Sequence, residues 1–473
     1  MSASPIKFGT SGWRGIIADD FTFANLRLAV VAIAGHLTAQ KKDPRVVVGY
    51  DTRFYSEEFS ELAVELLERH GVRAFLADAF TPTPAVAYEI MRAKLDGALN
   101  FTASHNPAQY HGLKFSSADA GPALPRITKD IEERAAKLIR GGGVPLPEKA
   151  PTQQGPHEKV SLRQAYLKRL SELVRFDVLA GCKGKFAFDA LYGCGAGYVD
   201  KALLDHGVAF EAIRLNRDAL FGGAGPDVSE ENLAPLRSVV RDSDALAGLA
   251  TDGDADRFGV IDRDGTWIQP NYILALVYDY LVETRGWKMP AARSVSTSQL
   301  VDAAAQANGQ ITHQTPVGFK YIGQLIREDK IALGGEESAG LTIRGHVPEK
   351  DGILACLLVA EMIAARGASI SEQVRALFKK VGREYWPVRE NLRLGDEQKA
   401  NAMGKVAVDS TTLLGRKVVS VDRTDGAKFV FEDGSWFLVR LSGTEPLLRL
   451  YVETESAKAS AKLTGEVTKW ILG

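Results

Sequence analysis

A chain of 473 residues, 45% hydrophobic and 25% charged, has the length of three or four globular domains and the composition of an ordinary folded protein. Its net charge of −1 gives no electrostatic case for nucleic acid or an anionic membrane as partner. Cys182, Cys194 and Cys356 are sparse and lack CxxC spacing, which argues against a disulfide scaffold or a zinc site and predicts a cytoplasmic setting; Met1 to Lys7 carries no apolar signal core.

Phe8-Gly9-Thr10-Ser11-Gly12-Trp13-Arg14-Gly15 opens the chain. Its glycines let the backbone approach a ligand, and Arg14 adds a fixed positive charge, although a surface loop has the same residues. Thr22 caps a helix whose face carries Leu26, Ala29, Val30, Ile33, Ala34 and Leu37. Arg45 to Tyr50 is a strand, and Ser56 caps a second helix with Glu57 and Glu58 in its first turn. Gly71 closes that helix, and Val72 to Leu76 returns as a strand, so the pattern is α/β.

The apolar run Gly97 to Phe101 reads as a buried strand and runs into Thr102-Ala103-Ser104-His105-Asn106-Pro107. Pro107 keeps Asn106 out of helical space, so a tight polar loop places a hydroxyl beside an imidazole and a carboxamide. The same residues are ordinary turn formers. Lys114, ten residues on, is close enough to line the same pocket.

Residues 141–160 are dense in Gly and Pro and read as an interdomain linker. A strand at Lys185 to Ala190 leads to Gly193-Cys194-Gly195-Ala196-Gly197, where Tyr198 occupies the third glycine position of GxGxxG and rules out a dinucleotide fingerprint. The strand Leu246 to Ala250 then enters Thr251-Asp252-Gly253-Asp254-Ala255-Asp256-Arg257. Three carboxylates at i, i+2 and i+4 repel one another unless a cation offsets them, and hard oxygens favour Mg²⁺ or Ca²⁺. An EF-hand fails on Arg257 and Arg263, which stand where Gly and Glu are needed. Asp256 departs from a haloacid-dehalogenase-type phosphatase motif. Arg257 adds a partner for an anion.

Helical patterns follow near 271–284 and 299–307, then a loop from Thr315 to Lys320. Leu333 leads into Gly334-Gly335-Glu336-Glu337-Ser338; on an extended segment Glu336 and Ser338 point the same way and suit a polyol. Ile353 to Arg366 is an apolar helix ended by Gly367, broken by Glu361 and too short to span a bilayer. From about 384, strands near 418–422, 428–432 and 436–441 alternate with turns. The loop Arg440-Leu441-Ser442-Gly443-Thr444-Glu445-Pro446 supplies guanidinium, hydroxyl and backbone donors suited to a phosphate. A final helix starts near 456.

Four polar loops in chain order, Thr-Ala-Ser-His-Asn-Pro, Asp-Gly-Asp-Ala-Asp-Arg, Gly-Glu-Glu-Ser and Arg-Leu-Ser-Gly-Thr, resemble those of the α-D-phosphohexomutase family, which includes phosphoglucomutase and phosphomannomutase. The resemblance covers essentially the whole chain. It implies an α/β fold: three related α/β domains with mixed sheets and a smaller C-terminal α+β domain around a central cleft. The expected divisions are 1–145, 146–260, 261–375 and 384–473. By the same resemblance Ser104 carries the transferred phosphoryl group, and Asp252, Asp254 and Asp256 hold Mg²⁺ with an oxygen on Ser104. Arg14, His105, Lys114 and Arg257 surround the reacting phosphate. Glu336 and Ser338 contact sugar hydroxyls, while Arg440, Ser442, Gly443 and Thr444, helped by Lys320, bind the other phosphate. Phe319 stands where some members have His, so the resemblance does not carry a ligand contact over to that position. Glu337 resembles phosphoglucomutases, whereas dual-specificity members carry Met and phosphoglucosamine mutases Gln. The expected reaction is glucose 1-phosphate to glucose 6-phosphate through glucose 1,6-bisphosphate, by a monomer or homodimer. A phosphomannomutase or dual-specificity enzyme, a metal-dependent sugar phosphatase and a non-catalytic sugar-phosphate sensor are the alternatives. Lys114 is expected to have a lowered pKa and to move a proton.

Overall fold

The computed structural model describes residues 6–9, 12–144, 157–408, 410–441 and 447–472. They form four sheets. Three repeat one plan. In the first, Arg45–Tyr50 lies between Arg73–Ala77 and Gly97–Phe101, both parallel to it, and Tyr110–Ser117 pairs antiparallel to Gly97–Phe101. In the second, Phe186–Asp189 lies between the parallel strands Phe210–Ile213 and Ala247–Thr251, and Phe258–Asp262 returns antiparallel. In the third, Ala291–Ser294 lies between Thr312–Thr315 and Leu333–Glu336, and Gly340–Ile343 returns antiparallel. Parallel pairs need a crossover of a dozen or more residues, while the antiparallel return needs only a hairpin. That hairpin falls at the same place in each sheet: residues 102–109, 252–257 and 337–339. These are the stretches singled out as Ser104, acidic and sugar loops, and they leave the carboxyl ends of parallel strands, where α/β sheets bind ligands.

The fourth sheet is antiparallel, in the order Trp386–Arg393, Leu447–Thr454, Trp436–Leu441, Ala427–Phe431, Arg416–Asp422 and Thr412–Leu413, and the helix Ala457–Leu472 packs on it. It has its own core around Phe429, Phe437, Leu450 and Val467. A small apolar cluster, Val295, Trp436, Leu438 and Tyr451, joins it to the third sheet. The second and third sheets share one continuous core, and the helix Gly352–Arg366, buried from Gly352 to Ile363, runs through it. Among the described residues no single helix is long and apolar enough to cross a membrane.

Several expectations need correction. A division at 260 cuts the strand Phe258–Asp262, and Trp267–Ile268 still belongs to the second sheet. Lys159–Val160 is an edge strand of the first sheet, beyond 145, and the helix Ile370–Val381 passes 375. Most of the expected linker, 145–156, lies outside the described residues. Thr22 does cap the helix Phe23–Gln40, accepting from Asn25 N. Ser56 does not cap the next helix: it is the first helical residue, and its hydroxyl donates to Asp51.

Candidate active site

Ser104 sits in the first hairpin with φ +54°, the left-handed region that a serine adopts only at a cost of about 1–2 kcal/mol. Buried donors and acceptors hold it there. Its amide donates to Thr102 Oγ1 at 2.8 Å. The fully buried Arg53 donates to four backbone carbonyls of the loop: Ser104 and Asn106 at 2.6 Å, Pro107 and Tyr110 at 2.9 Å. Asp51 in turn holds the Arg53 Nε at 3.1 Å. The Ser104 hydroxyl donates to Asp252 Oδ2 at 2.9 Å and lies 3.4 Å from His105 Nδ1. Burial, then the charges of Arg257 and Arg14, keep the His105 pKa well below its usual value, so the imidazole is neutral near pH 7. Arg14, on the strand Trp13–Ile16, reaches Asn106 Oδ1 at 2.6 Å. Burial and the neighbouring Arg257 lower its pKa to about 10, which leaves it charged.

The second hairpin brings Asp252, Asp254 and Asp256 together, all buried, with one oxygen of each within 4.8 Å of the others. Their hydrogen bonds sort the oxygens. Asp252 Oδ1 accepts from Arg257 N at 3.0 Å. Asp254 Oδ2 accepts from Thr83 Oγ1 and Lys114 Nζ, each at 2.5 Å. Asp256 Oδ2 faces Lys114 at 2.8 Å and Lys350 at 3.1 Å. Asp254 Oδ1 and Asp256 Oδ1 are buried and accept no hydrogen bond among the described residues. Two orphaned carboxylate oxygens beside Asp252 and the Ser104 hydroxyl fit a hard divalent cation. Burial, followed by Asp254 and Asp256, pushes Asp252 well above the usual carboxylate range. Burial also acts to raise Asp256, but Lys114, Lys350 and Arg257 overcome it and hold its pKa down. Burial acts against the charge of Arg257 as well, and Asp252 and Asp256 outweigh it, so its pKa is raised.

In the third hairpin Glu336 ends its strand, and its Oε1 accepts from Gly318 N at 2.7 Å. Burial and the adjacent Glu337 raise its pKa to about 7. The strand stops there, so the expected alternation does not reach Ser338. Ala339 N bonds to Glu336 O, Ala339 takes φ +70°, and Ser338 lies inside a turn. Glu337 Oε2 accepts from Ser296 at 2.8 Å, Ser294 at 3.2 Å and Thr297 at 3.3 Å. Lys320 lies half-buried in the first turn of the helix Phe319–Arg327, its ammonium 5.3 Å from the Tyr321 ring centre. Burial lowers its pKa. Arg440 is the penultimate residue of the strand Trp436–Leu441 and bonds Asp425 Oδ1 at 2.9 Å. Burial acts against its charge, and the Asp425 carboxylate outweighs that, so its pKa is raised. Asp425 also accepts from Val317 N of the third unit at 3.1 Å, which brings Arg440 to the mouth of the third sheet. Ser442, Gly443 and Thr444 lie outside the described residues, as do Thr10 and Ser11.

The structure therefore gathers Ser104, His105, Arg14, Lys114, Arg257 and the three aspartates at one place, and sets Glu336 beside Gly318, at the start of the helix that carries Lys320. The expected lowering of the Lys114 pKa is not found. Burial alone would lower it, but Asp254 and Asp256 outweigh burial and raise it, so the side chain is a fixed cation. Sequence reasoning missed Arg53, Thr83, Asp425 and Lys350. Lys350 Nζ bonds Glu349 as well as Asp256, and burial is outweighed by those acids in raising its pKa. Asp51-Thr52-Arg53, polar residues straight after an apolar strand, carried the same signal as the other loops.

Models of the four phosphoglucomutase/phosphomannomutase domains match the chain: α/β/α domain I at residues 5–140, domain II at 164–265, domain III at 269–381 and the C-terminal domain at 390–469. A protein from Thermococcus kodakarensis named phosphoglucomutase/phosphomannomutase is 29% identical over 452 residues, 95% of this chain and 94% of its own. A candidate phosphoglucosamine mutase from Methanothermobacter thermautotrophicus is 31% identical over 453 residues, with the same shares covered. The crystal structure of a candidate phosphomannomutase from Thermus thermophilus is 32% identical, covers 100% of both chains and superposes with a TM-score of 0.85. With all four domains matched in order and the serine of the first hairpin bonded to the acidic second, the chain belongs to the phosphoglucomutase/phosphomannomutase family of phosphohexomutases.

Proposed function

We propose that the chain interconverts hexose 1-phosphates and hexose 6-phosphates through phosphorylated Ser104 and a bisphosphorylated hexose, with glucose 1-phosphate as preferred substrate. The observation that carries this reading is the Ser104 hydroxyl, held in strained backbone and bonded to Asp252 in the middle of the acidic trio. Asp252, Asp254, Asp256 and an oxygen on Ser104 hold Mg²⁺ in this reading, and the cation offsets charge on the phosphoryl oxygens. Transfer from phospho-Ser104 breaks its Oγ–P bond as a bond from phosphorus to the sugar 6-oxygen forms. The proton of that hydroxyl goes to a neighbouring base, which the neutral His105 is suited to be, and passes on to Ser104 Oγ as that oxygen leaves. In the second transfer the bond from phosphorus to oxygen 1 breaks as the Ser104 Oγ–P bond re-forms, and the proton lost by the Ser104 hydroxyl passes through the same base to oxygen 1, which leaves as the hydroxyl of the hexose 6-phosphate. Arg14, Arg257 and Lys114 supply fixed positive charge where the transferring group becomes most anionic.

Both transfers need one sugar in two orientations. Arg440, with Ser442, Gly443 and Thr444 and helped by Lys320, anchors whichever phosphate is not reacting, and Glu336 with Ser338 reads hydroxyls placed alike in both. One observation favours a broader specificity as the second reading. Glu337, whose identity suggests glucose, has an oxygen engaged by three hydroxyls of its own unit. That oxygen is braced by protein rather than free for a sugar. The test is kcat/KM for glucose 1-phosphate, mannose 1-phosphate and glucosamine 1-phosphate, with Mg²⁺ and a trace of bisphosphate, in wild type and Ser104→Ala. A strong glucose preference, lost with Ser104→Ala, is expected. Comparable rates for two sugars move the reading to a dual-specificity enzyme, and an active Ser104→Ala variant refutes the phosphoserine route.

A further inference from the structure

Asp254 is held from outside its own unit. Thr83, which opens the helix Thr83–Ala93 of the first unit, donates its hydroxyl to Asp254 Oδ2 at 2.5 Å and its amide to the Asp254 carbonyl at 3.0 Å. Two side chains point at that hydroxyl: Asn100 Nδ2 at 2.8 Å and Lys114 Nζ at 3.3 Å. A threonine hydroxyl has one proton and two lone pairs. An ammonium can only donate and a carboxylate can only accept, so with two donors aimed at its oxygen the hydroxyl sends its proton to Asp254.

The consequence is asymmetry in the carboxylate. Asp254 Oδ2 is occupied by Thr83 and Lys114, while Oδ1 is buried and unpartnered among the described residues. A carboxylate so held offers a cation one oxygen. Mg²⁺ demands a compact octahedron and takes carboxylates singly, whereas Ca²⁺ accepts six to eight oxygens and bidentate carboxylates. We infer that Thr83 is a positioning residue that restricts Asp254 to one ligating oxygen and so sets the preference of the site for Mg²⁺ over Ca²⁺. The inference rests on the reading of Asp252, Asp254 and Asp256 as cation ligands. Thr83 acts through Asp254, whose Oδ2 and carbonyl it holds. Because it belongs to a different unit from the acidic loop, the metal preference depends on the docking of the first unit against the second.

The test titrates MgCl₂ and CaCl₂ separately into the full chain by calorimetry, at fixed pH and ionic strength, for wild type, Thr83→Val, Thr83→Ser, Asn100→Ala and Asp254→Asn. Thr83→Val keeps the shape of the side chain and loses the hydroxyl. Its Mg²⁺ dissociation constant is expected to rise about 10- to 100-fold, the usual effect of removing a group that orients a ligand, while that for Ca²⁺ moves less than about threefold. Thr83→Ser restores the wild-type ratio, and Asn100→Ala shifts it in the same direction by less. An unchanged ratio in Thr83→Val overturns the proposal even if the variant melts lower, since lost packing does not choose between two cations. Should Thr83→Val fail to fold, Asn100→Ala decides: a shifted ratio supports the role, an unshifted one overturns it. Failure of the underlying reading looks different: wild type and Asp254→Asn then bind Mg²⁺ equally, and the proposal falls with it.

Discussion

Gly352→Ala tests whether the third unit fixes the position of the acidic loop. Gly352 is the first residue of the buried helix Gly352–Arg366, and its amide donates to Ala255 O in that loop at 3.1 Å. A β-carbon there would stand 2.2 Å from the carbonyl oxygen of Arg257, 2.5 Å from its carbon and 2.9 Å from its nitrogen. All three are backbone atoms, so no side chain can swing away. Ordinary contact starts at 3.4 Å, and helix or loop must therefore retreat by about 1.2 Å. Position 352 is not in the left-handed region, and alanine is the better helix former by about 1 kcal/mol, so neither torsion nor propensity supplies a penalty. The contact alone does. Arg257 N holds Asp252 Oδ1, and Asp252 Oδ2 holds the Ser104 hydroxyl, so the retreat is passed to the reacting oxygen. A misplacement of about 1 Å costs roughly 10²-fold in rate. The expected result is a kcat/KM for the preferred hexose 1-phosphate lowered about 10²-fold, with a raised Mg²⁺ requirement and unchanged circular dichroism. Coupled turnover assays across a Mg²⁺ series measure it. Wild-type turnover with an unchanged Mg²⁺ dependence would refute the rigid contact between helix and loop.

Asp351 caps the same helix through Leu354 N at 2.8 Å and accepts from Tyr166 at 2.5 Å and His346 at 2.6 Å, all buried. Asp351→Ala removes a cap worth about 1 kcal/mol and strands two groups at about 1–3 kcal/mol each, so a loss of about 3–7 kcal/mol is expected in urea titrations. A loss below about 1 kcal/mol would show that water replaces the carboxylate. Glu336 titrates near 7 in the folded chain against 4.5 ordinarily. Between those values the folded chain keeps a proton that the unfolded chain has released, so this group's contribution to stability, full below 4.5, is lost as pH rises through about 7. Melting followed from pH 4.5 upward should show a shallower decline in Glu336→Gln, and parallel curves would contradict the raised pKa. Arg440→Ala should raise KM for every hexose phosphate tested while kcat changes little. An effect on one sugar alone would count against a phosphate anchor.

Which features could be read from the sequence follows from how local their causes are. The strand Arg45–Tyr50 was legible to the residue because an apolar run ends at charged residues on both sides. Thr22 was legible as a cap because its partner, Asn25 N, is three residues away. Ser56 has the same chemistry in the same setting, yet its hydroxyl is taken by Asp51 and faces His111 across the sheet, so local rules misassign it. The three hairpin loops were visible as polar runs after apolar strands. The Glu336–Ser338 geometry was not, since it turns on Ala339 adopting a left-handed backbone that nothing in an alanine announces. Lys114 was placed in the right pocket with the wrong electrostatics. Its partners are 140 and 142 residues away, and their charges outweigh burial in setting the direction of its shift.

The long-range contacts also divide the labour of the molecule. The acidic loop is gripped by Ser104, Lys114 and Thr83 from the first unit and by Lys350 and Gly352 from the third. Three units must dock before the reacting centre exists. The fourth unit has a separate core and, among the described residues, meets the third through a small apolar cluster, the ring pair Phe378 and Trp386, and polar links such as Gln314 to Asp422, Val317 to Asp425, Lys428 to the Val295 carbonyl, Gln299 to Glu453 and Arg383 to the Asp433 carbonyl. A reaction that transfers a phosphoryl group twice through one serine needs an invariant centre. A sugar that reacts at both ends needs an anchor that can release and recapture it. The proposed anchor, Arg440, accordingly sits on the unit with the fewest ties to that centre, and its bond to Asp425 gives the guanidinium a partner to exchange when a phosphate arrives.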